Sequence, residues 1–288
     1  MGWKTIGTRF DMSQGSAWEE GVSYLLKNGL TRGNVDRAME IYKNTLISIH
    51  PDPPHPANAK SDDNVFRALN SYIEKYQNDE FRATESQKLI EIPVSPEGDT
   101  MYGLPDEFGN WRNQKAIIDH KASGREDSQL RIKWEMRIQS LLYTLWLKSR
   151  YEQSAGVIIR TTFFRKSNKW DGSEHISIYI NPDSETLSDF IIETKNQIKN
   201  LKQSLESLST QDPLEKSSLQ ITFPKNRTSC FNQFGACEFI MICKNNPKNP
   251  LRLFGSNTPP GGFKIEHWSP CNRALEKVQL REAHKGKS

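Results

Sequence analysis

The 288-residue chain is long enough for one large α/β domain with appendages; its 35% apolar fraction is low and its 26% charged fraction ordinary, but β-branched and aromatic residues at 156–164 and 175–180 still supply a good core. Lysine and arginine exceed aspartate and glutamate by 39 to 35, giving a net charge of +4 and a pI near 8.7, which permits nucleic-acid binding without establishing it. No stretch approaches the length of a membrane span and no apolar signal segment opens the sequence, so no membrane association and a reducing, cytoplasmic setting are expected.

Residues 13–80 read as mostly helical, interrupted by Pro51-Asp-Pro-Pro-His-Pro56, where proline removes backbone donors. His50 and His55 fall in that interruption and are read as loop residues. Residues 85–123 carry strands. Met101-Tyr-Gly-Leu-Pro-Asp106 reads as a short turn delivering an acid, with Gly103 relaxing the backbone. The turn-rich stretch 107–114 predicts a β-hairpin whose strands carry Asp106 and Asp119 side by side. In the strand Lys115-Ala-Ile-Ile-Asp-His-Lys-Ala-Ser123, side chains repeat every second residue. Asp119 and Lys121 therefore share one face above Ile117, and Ala116, Ile118 and His120 share the other.

Arg131 to Lys148 has a helical period, with Ile138, Leu141, Leu142, Leu145 and Trp146 as its apolar stripe. Gln139 and Tyr143, four apart, lie one above the other on that helix. Strands at 156–164 and 175–180, separated by a turn-rich segment, predict a second hairpin. A long amphipathic helix is expected at about 184–209, with Leu187, Phe190, Ile191, Ile198, Leu201, Leu205 and Leu208 as apolar positions. The tail after Asn245 is rich in Pro, Gly, Asn and Lys and is expected to be loop-like, with 285–288 disordered. There is no internal repeat.

A carboxylate beside an ammonium on one strand face can hold a divalent cation and orient a water, the minimum equipment for metal-assisted phosphodiester hydrolysis. An isolated acid-x-lysine pair is more often a solvated ion pair, so the order of the surrounding residues decides. The succession Gly-x-x-Asp106, Asp119-x-Lys121 and Gln139-x-x-x-Tyr143 resembles the nuclease motifs of the PD-(D/E)XK superfamily, and within it the RecB-like branch of phage exonucleases and CRISPR-adaptation nucleases. Gly15-Ser-Ala-Trp-Glu19 falls where that branch has Gly-x-x-x-His, with Glu19 in place of the histidine. The likeness runs, with gaps, from about residue 13 to residue 245.

The resemblance implies an α/β fold, a restriction-endonuclease-like mixed central β-sheet flanked by helices, with a small cysteine-containing C-terminal region. It divides the chain into a helical N-terminal part (1–82), a nuclease core (83–183), a bridging helix and cysteine cluster (184–245) and a loop-rich tail (246–288). It implies Mg²⁺ or Mn²⁺ held by Glu19, Asp106, Asp119 and the backbone carbonyl of His120. Lys121 would position the attacking water, and Gln139 and Tyr143 would fix the lysine and the DNA backbone. Glu91 is a weaker acid candidate that equally fits the polar side of a strand. DNA is the expected partner. The sequence has no Gly-x₄-Gly-Lys-Ser/Thr phosphate loop, so any unwinding would require a helicase or recombination partner. Six cationic residues near the expected active strands, Arg112, Lys115, Arg125, Arg131, Lys133 and Arg137, would bind phosphates if they faced one groove.

Cys230, Cys237 and Cys243 follow no standard zinc-ribbon or ferredoxin spacing. They resemble the cysteine triplet of RecB-like nucleases that carry a [4Fe–4S] cluster, whose fourth ligand precedes the nuclease core. No cysteine lies before position 230 here. Either that ligand belongs to an N-terminal region missing from this sequence, or Cys271 completes the site, or no cluster forms and the cysteines are buried thiols. Two other readings stand beside the nuclease: a catalytically inactive DNA-binding or assembly subunit of the same fold, and a cysteine-metal interaction protein in which the acids are incidental.

Overall fold

The structure, a computed structural model, describes residues 2–5, 10–50, 61–123, 129–164, 173–209, 231–232, 235–236 and 263–266. All four cysteines, His55 and Arg125 lie outside the described residues. The described chain divides into two units.

The larger unit spans 10–190 and is built on a mixed five-stranded sheet. In chain order it contains α1 (Phe10–Asn28), α2 (Val35–Ile49), α3 (Asp62–Tyr76), β2 (Arg82–Ser86), β3 (Ile90–Pro93), β4 (Thr100–Gly103), β5 (Glu107–Trp111), β6 (Gln114–Ser123), α4 (Leu130–Glu135), α5 (Ile138–Arg150), β7 (Ser154–Phe164), β8 (Ser173–Ile180) and the start of α6 (Ser184–Ser209). The sheet order is β2-β5-β6-β7-β8, with β6 and β7 parallel and every other pair antiparallel. β3 and β4 form a separate two-stranded ribbon. In the smaller unit β1 (Gly2–Thr5) pairs with β11 (Phe263–Glu266), and β9 (Phe231–Asn232) with β10 (Gly235–Ala236).

The central strands follow from their residues. β6 and β7 are buried on both faces, which explains why Ala116-Ile-Ile118 and Val157-Ile-Ile159 are continuous apolar runs. Ile117, Val157 and Ile159 pack with Trp146, Leu147, Leu187 and Phe190; Ala116, Ile118 and Ile158 pack with Phe81 on the other face. Trp18, Leu25, Tyr42, Leu69 and Tyr72 join α1, α2 and α3 in a further core with Phe164. Burying each such side chain contributes roughly 1.5–3 kcal/mol. α3 begins at Ser61, whose hydroxyl accepts from Asn64 N, with Asp62 and Asp63 in its positive first turn.

Three expectations change. Residues 131–148 are not one helix: Arg137 is extended (φ −78°, ψ 135°) and separates α4 from α5. Ile138, expected in the apolar stripe, is 63% exposed. Thr100–Gly103 is a strand paired with β3, not a turn. Hairpins join β5 to β6 and β7 to β8, but most of the stretch 107–114 expected as turn is the strand β5, and Asp106 lies just before it; the strands expected at 156–164 and 175–180 run from 154 and from 173. The first closes on Arg112 and Asn113, both at positive φ (50° and 64°), the two-residue turn whose twist suits antiparallel strands.

Candidate active site

The site residues arrive from α1, the segment before β5, β6 and α5. β5 and β6 pair Glu107 with Ile118, so continuing that register by one residue sets Asp106 opposite Asp119. The backbone N–H of His120 donates to Asp106 Oδ2 (2.6 Å), fixing the first acid against the second strand. Asp119 and Lys121 form an ion pair on one face of β6, as the two-residue period requires. Asp119 is buried and the Lys121 side chain is 31% exposed, so the lysine is the partner nearer the surface.

Gln139 stands in the first turn of α5. Its Nε2 donates to Asp119 Oδ1 (2.8 Å) and to Tyr143 Oη (3.1 Å). It therefore braces the acid, not the lysine as expected. Tyr143 is buried; burial and the neighbouring Asp119 push its hydroxyl pKa up, so it stays neutral and holds Gln139. The break between α4 and α5 also places the positive N-terminal end of α5 beside the Asp119 carboxylate. Gly103 proves necessary for contact, not for flexibility: a Cβ there would come within 2.7 Å of Tyr143 Cε1. The first and last motifs thus touch.

Glu19 reaches the cluster from α1, where the Gln87 amide donates both to it and to Asp106. Burial raises the Asp106 pKa well above the usual carboxylate range, and Glu19 and Asp119 raise it further while Lys121 opposes them. Burial disfavours the Lys121 charge, but Asp119, Asp106 and Glu19 outweigh it and raise the pKa. Three carboxylates therefore face one ammonium. His120 contributes its backbone here; its ring lies on the other side, edge-on to Tyr72, and burial with the nearby Arg160 charge pushes its pKa down to about 3. Neither ring nitrogen has a hydrogen-bond partner among the described residues.

Two residues carried no signal in the sequence. Gln87, between β2 and β3, is buried, and its Nε2 donates to Glu19 Oε1 and to Asp106 Oδ1 (3.4 Å). Glu107 is fully buried and accepts from the Ser86 hydroxyl. A single glutamine ahead of a strand and an acid next to another acid have no periodicity to reveal them. Glu91 remains exposed on β3, paired opposite Tyr102 in the two-stranded ribbon.

The cations do not form one set. Arg112 is ion-paired to Glu80 (2.8 Å) at the β5–β6 turn, and Lys115 lies near that end of β6. Arg131, Lys133 and Arg137 are exposed around α4, where Arg137 covers Trp134 (4.2 Å) and Lys121 approaches the same ring (5.4 Å). Arg131 is paired with Glu135 (2.9 Å).

The donor set suits a hard divalent cation, because Glu19, Asp106 and Asp119 supply oxygen alone and exceed the local positive charge. Among the described residues, no three His, Cys, Asp or Glu side chains are disposed to enclose a metal ion as they stand. Instead the carboxylates are engaged by Gln87, Lys121 and Gln139. Also among the described residues, no helix is long and apolar enough to cross a membrane.

The chain matches no protein-family model and no curated protein. Solved structures similar to it include the crystal structure of SSO0001, at 17% identity and a TM-score of 0.29, covering 66% of this chain and 87% of the other. A likeness at that level carries no argument. The larger unit is an α/β domain with a mixed five-stranded sheet flanked by helices.

Proposed function

We propose that the chain is a metal-dependent DNA nuclease with a restriction-endonuclease-like core of the PD-(D/E)XK type, acting on linear ends as an exonuclease in phage recombination, repair or CRISPR adaptation. One observation carries this reading: Glu19, Asp106, Asp119, Lys121 and Gln139, drawn from four separate stretches of sequence, converge on one cluster with surplus negative charge. A structural ion network tends toward internal balance; this one is two charges short of it if all three acids ionise.

Glu19, Asp106 and Asp119 would hold Mg²⁺ or Mn²⁺. When bound, that ion supplies polarisation of the phosphate and an activated water at neutral pH. Lys121 positions the water and counters the charge that gathers on phosphorus-bound oxygens as the water oxygen bonds and the ester bond breaks. Gln139, held by Tyr143, keeps Asp119 in place, and the His120 N–H does the same for Asp106. Lys133 and Arg137, exposed beside Trp134, would take the phosphate backbone leaving the site. A cysteine cluster, if Cys230, Cys237 and Cys243 hold one, would be a separate structural element.

The test is degradation of end-labelled linear DNA by wild-type and Asp119→Ala protein, in Mn²⁺ and in chelator. Metal-dependent cleavage by the wild type and none above background by the variant is expected. A folded wild-type protein that binds DNA without cutting it would instead make this an inactive binding subunit.

A further inference from the structure

Gln87 occupies a position that a purely structural glutamine would not hold cheaply. Its backbone is in the left-handed region (φ 54°), which a residue with a Cβ adopts only at a cost. Its side chain is 4% exposed, yet Oε1 finds no hydrogen-bond partner among the described residues. A buried amide oxygen left unpaired loses its hydration with nothing in return. Its backbone N–H donates to the Asp106 carbonyl (3.0 Å), which ties the strained residue to the acid it serves. All of this is arranged so that one NH₂ group reaches Glu19 and Asp106 together.

We infer that Gln87 is a positioning residue of the cation site, clasping Glu19 and Asp106 so that both carboxylates are held ready for one divalent ion. The inference rests on the nuclease reading of the same cluster. Two acids, one from α1 and one from the residue just before β5, repel one another in a buried place, and something must hold them at a common distance before an ion arrives. A lysine would do so by neutralising one acid and weakening the site. An amide supplies donors without charge. Each carboxylate has lone pairs to spare, so one N–H bond to each leaves oxygens free to ligate. Hydrogen bonds of this kind orient metal-binding carboxylates, and their loss costs 10–100-fold in metal affinity.

The left-handed backbone makes the experiment clean. Gln87→Gly suits φ 54° and removes the clasp; Gln87→Met keeps the length and removes the donors. Titration of purified full-length chain with Mn²⁺, by calorimetry, is compared for wild type, both variants and Asp119→Asn, alongside the thermal midpoint without metal. Both Gln87 variants should bind Mn²⁺ at least tenfold more weakly, and Gln87→Gly should melt no lower than wild type. Unchanged affinity in both variants overturns the proposal. So does tighter binding, because the amide would then be competing with the ion. A fall in melting point with unchanged affinity assigns Gln87 a structural role and also overturns it. If wild type binds no Mn²⁺, or Asp119→Asn binds it equally well, the nuclease reading fails first and is distinguished from failure of the clasp.

Discussion

Two polar clusters lie side by side in the sheet, and they solve opposite problems. Asp119 and His120 are consecutive on β6, and His120 pairs in register with Arg160 on β7. Around Arg160 the charge is matched by one acid, although its Nε has no hydrogen-bond partner among the described residues. Its guanidinium, 1% exposed, donates to Asp79 Oδ2 (2.6 Å) and to Tyr72 Oη (2.9 Å) and lies over the Tyr76 ring (4.1 Å). Burial disfavours the Arg160 charge, but Tyr72 and Asp79 more than compensate and raise its pKa. Around Asp119 three acids meet one lysine. The balanced cluster is architecture, while the unbalanced one has an unmet demand for positive charge, which is what a cation site needs.

That contrast can be broken first at Arg160. Asp79→Ala leaves a buried guanidinium without its acid, so urea unfolding should show a loss of about 3–5 kcal/mol. A loss below about 1 kcal/mol would mean that the pair is not the internal balance described. On the other cluster the effect moves from stability to chemistry. Lys121→Ala should lower cleavage by about 10²–10³-fold while DNA affinity, measured by fluorescence anisotropy, stays near wild type. Wild-type turnover in that variant would remove the assigned role of the lysine.

A smaller effect sharpens the comparison through pH. His175 bonds Thr162 (2.9 Å) and Ser71 (2.8 Å) by its two ring nitrogens, and burial pushes its pKa down to about 4. The unfolded imidazole titrates near 6.5, so the folded state resists a proton that the unfolded state accepts. The stability tied to the neutral ring is fully present above about pH 6.5 and is lost as the pH falls toward 4, on the order of 3 kcal/mol in all. His120 acts in the same sense from the same starting pH and continues to about 3, and the raised Asp106 acts in the opposite one. His175→Gln should flatten the decline in urea midpoint between pH 7 and 4.5; an unchanged slope would place the titrating group elsewhere.

Much of this site could be read from the chain. The two-residue alternation of β6 gave the Asp119–Lys121 face, and the four-residue spacing gave the Gln139–Tyr143 pair. The break at Arg137 could not be read, because Ile138 continues the apolar period of Leu141, Leu142 and Leu145 while being 63% exposed. Periodicity reports that a residue is apolar and not whether anything covers it. Nor could the role of Gly103: a glycine required by a side chain forty residues later looks the same as one required by a turn. Gln87 depends on a left-handed backbone that no neighbouring residue type announces.

The Arg112–Asn113 turn has a consequence for how this chain can vary. Because it is two residues long and closes Trp111 against Gln114, it acts as a ruler that sets which residue of one strand meets which residue of the other. Adding two residues to each strand of the hairpin beyond the acids would lengthen the ribbon and leave Asp106 facing Asp119. A single residue inserted in β5 would turn one acid to the far side of the sheet, because a one-step slip exchanges the faces. Length changes in this hairpin are therefore tolerable in matched steps and ruinous in odd ones.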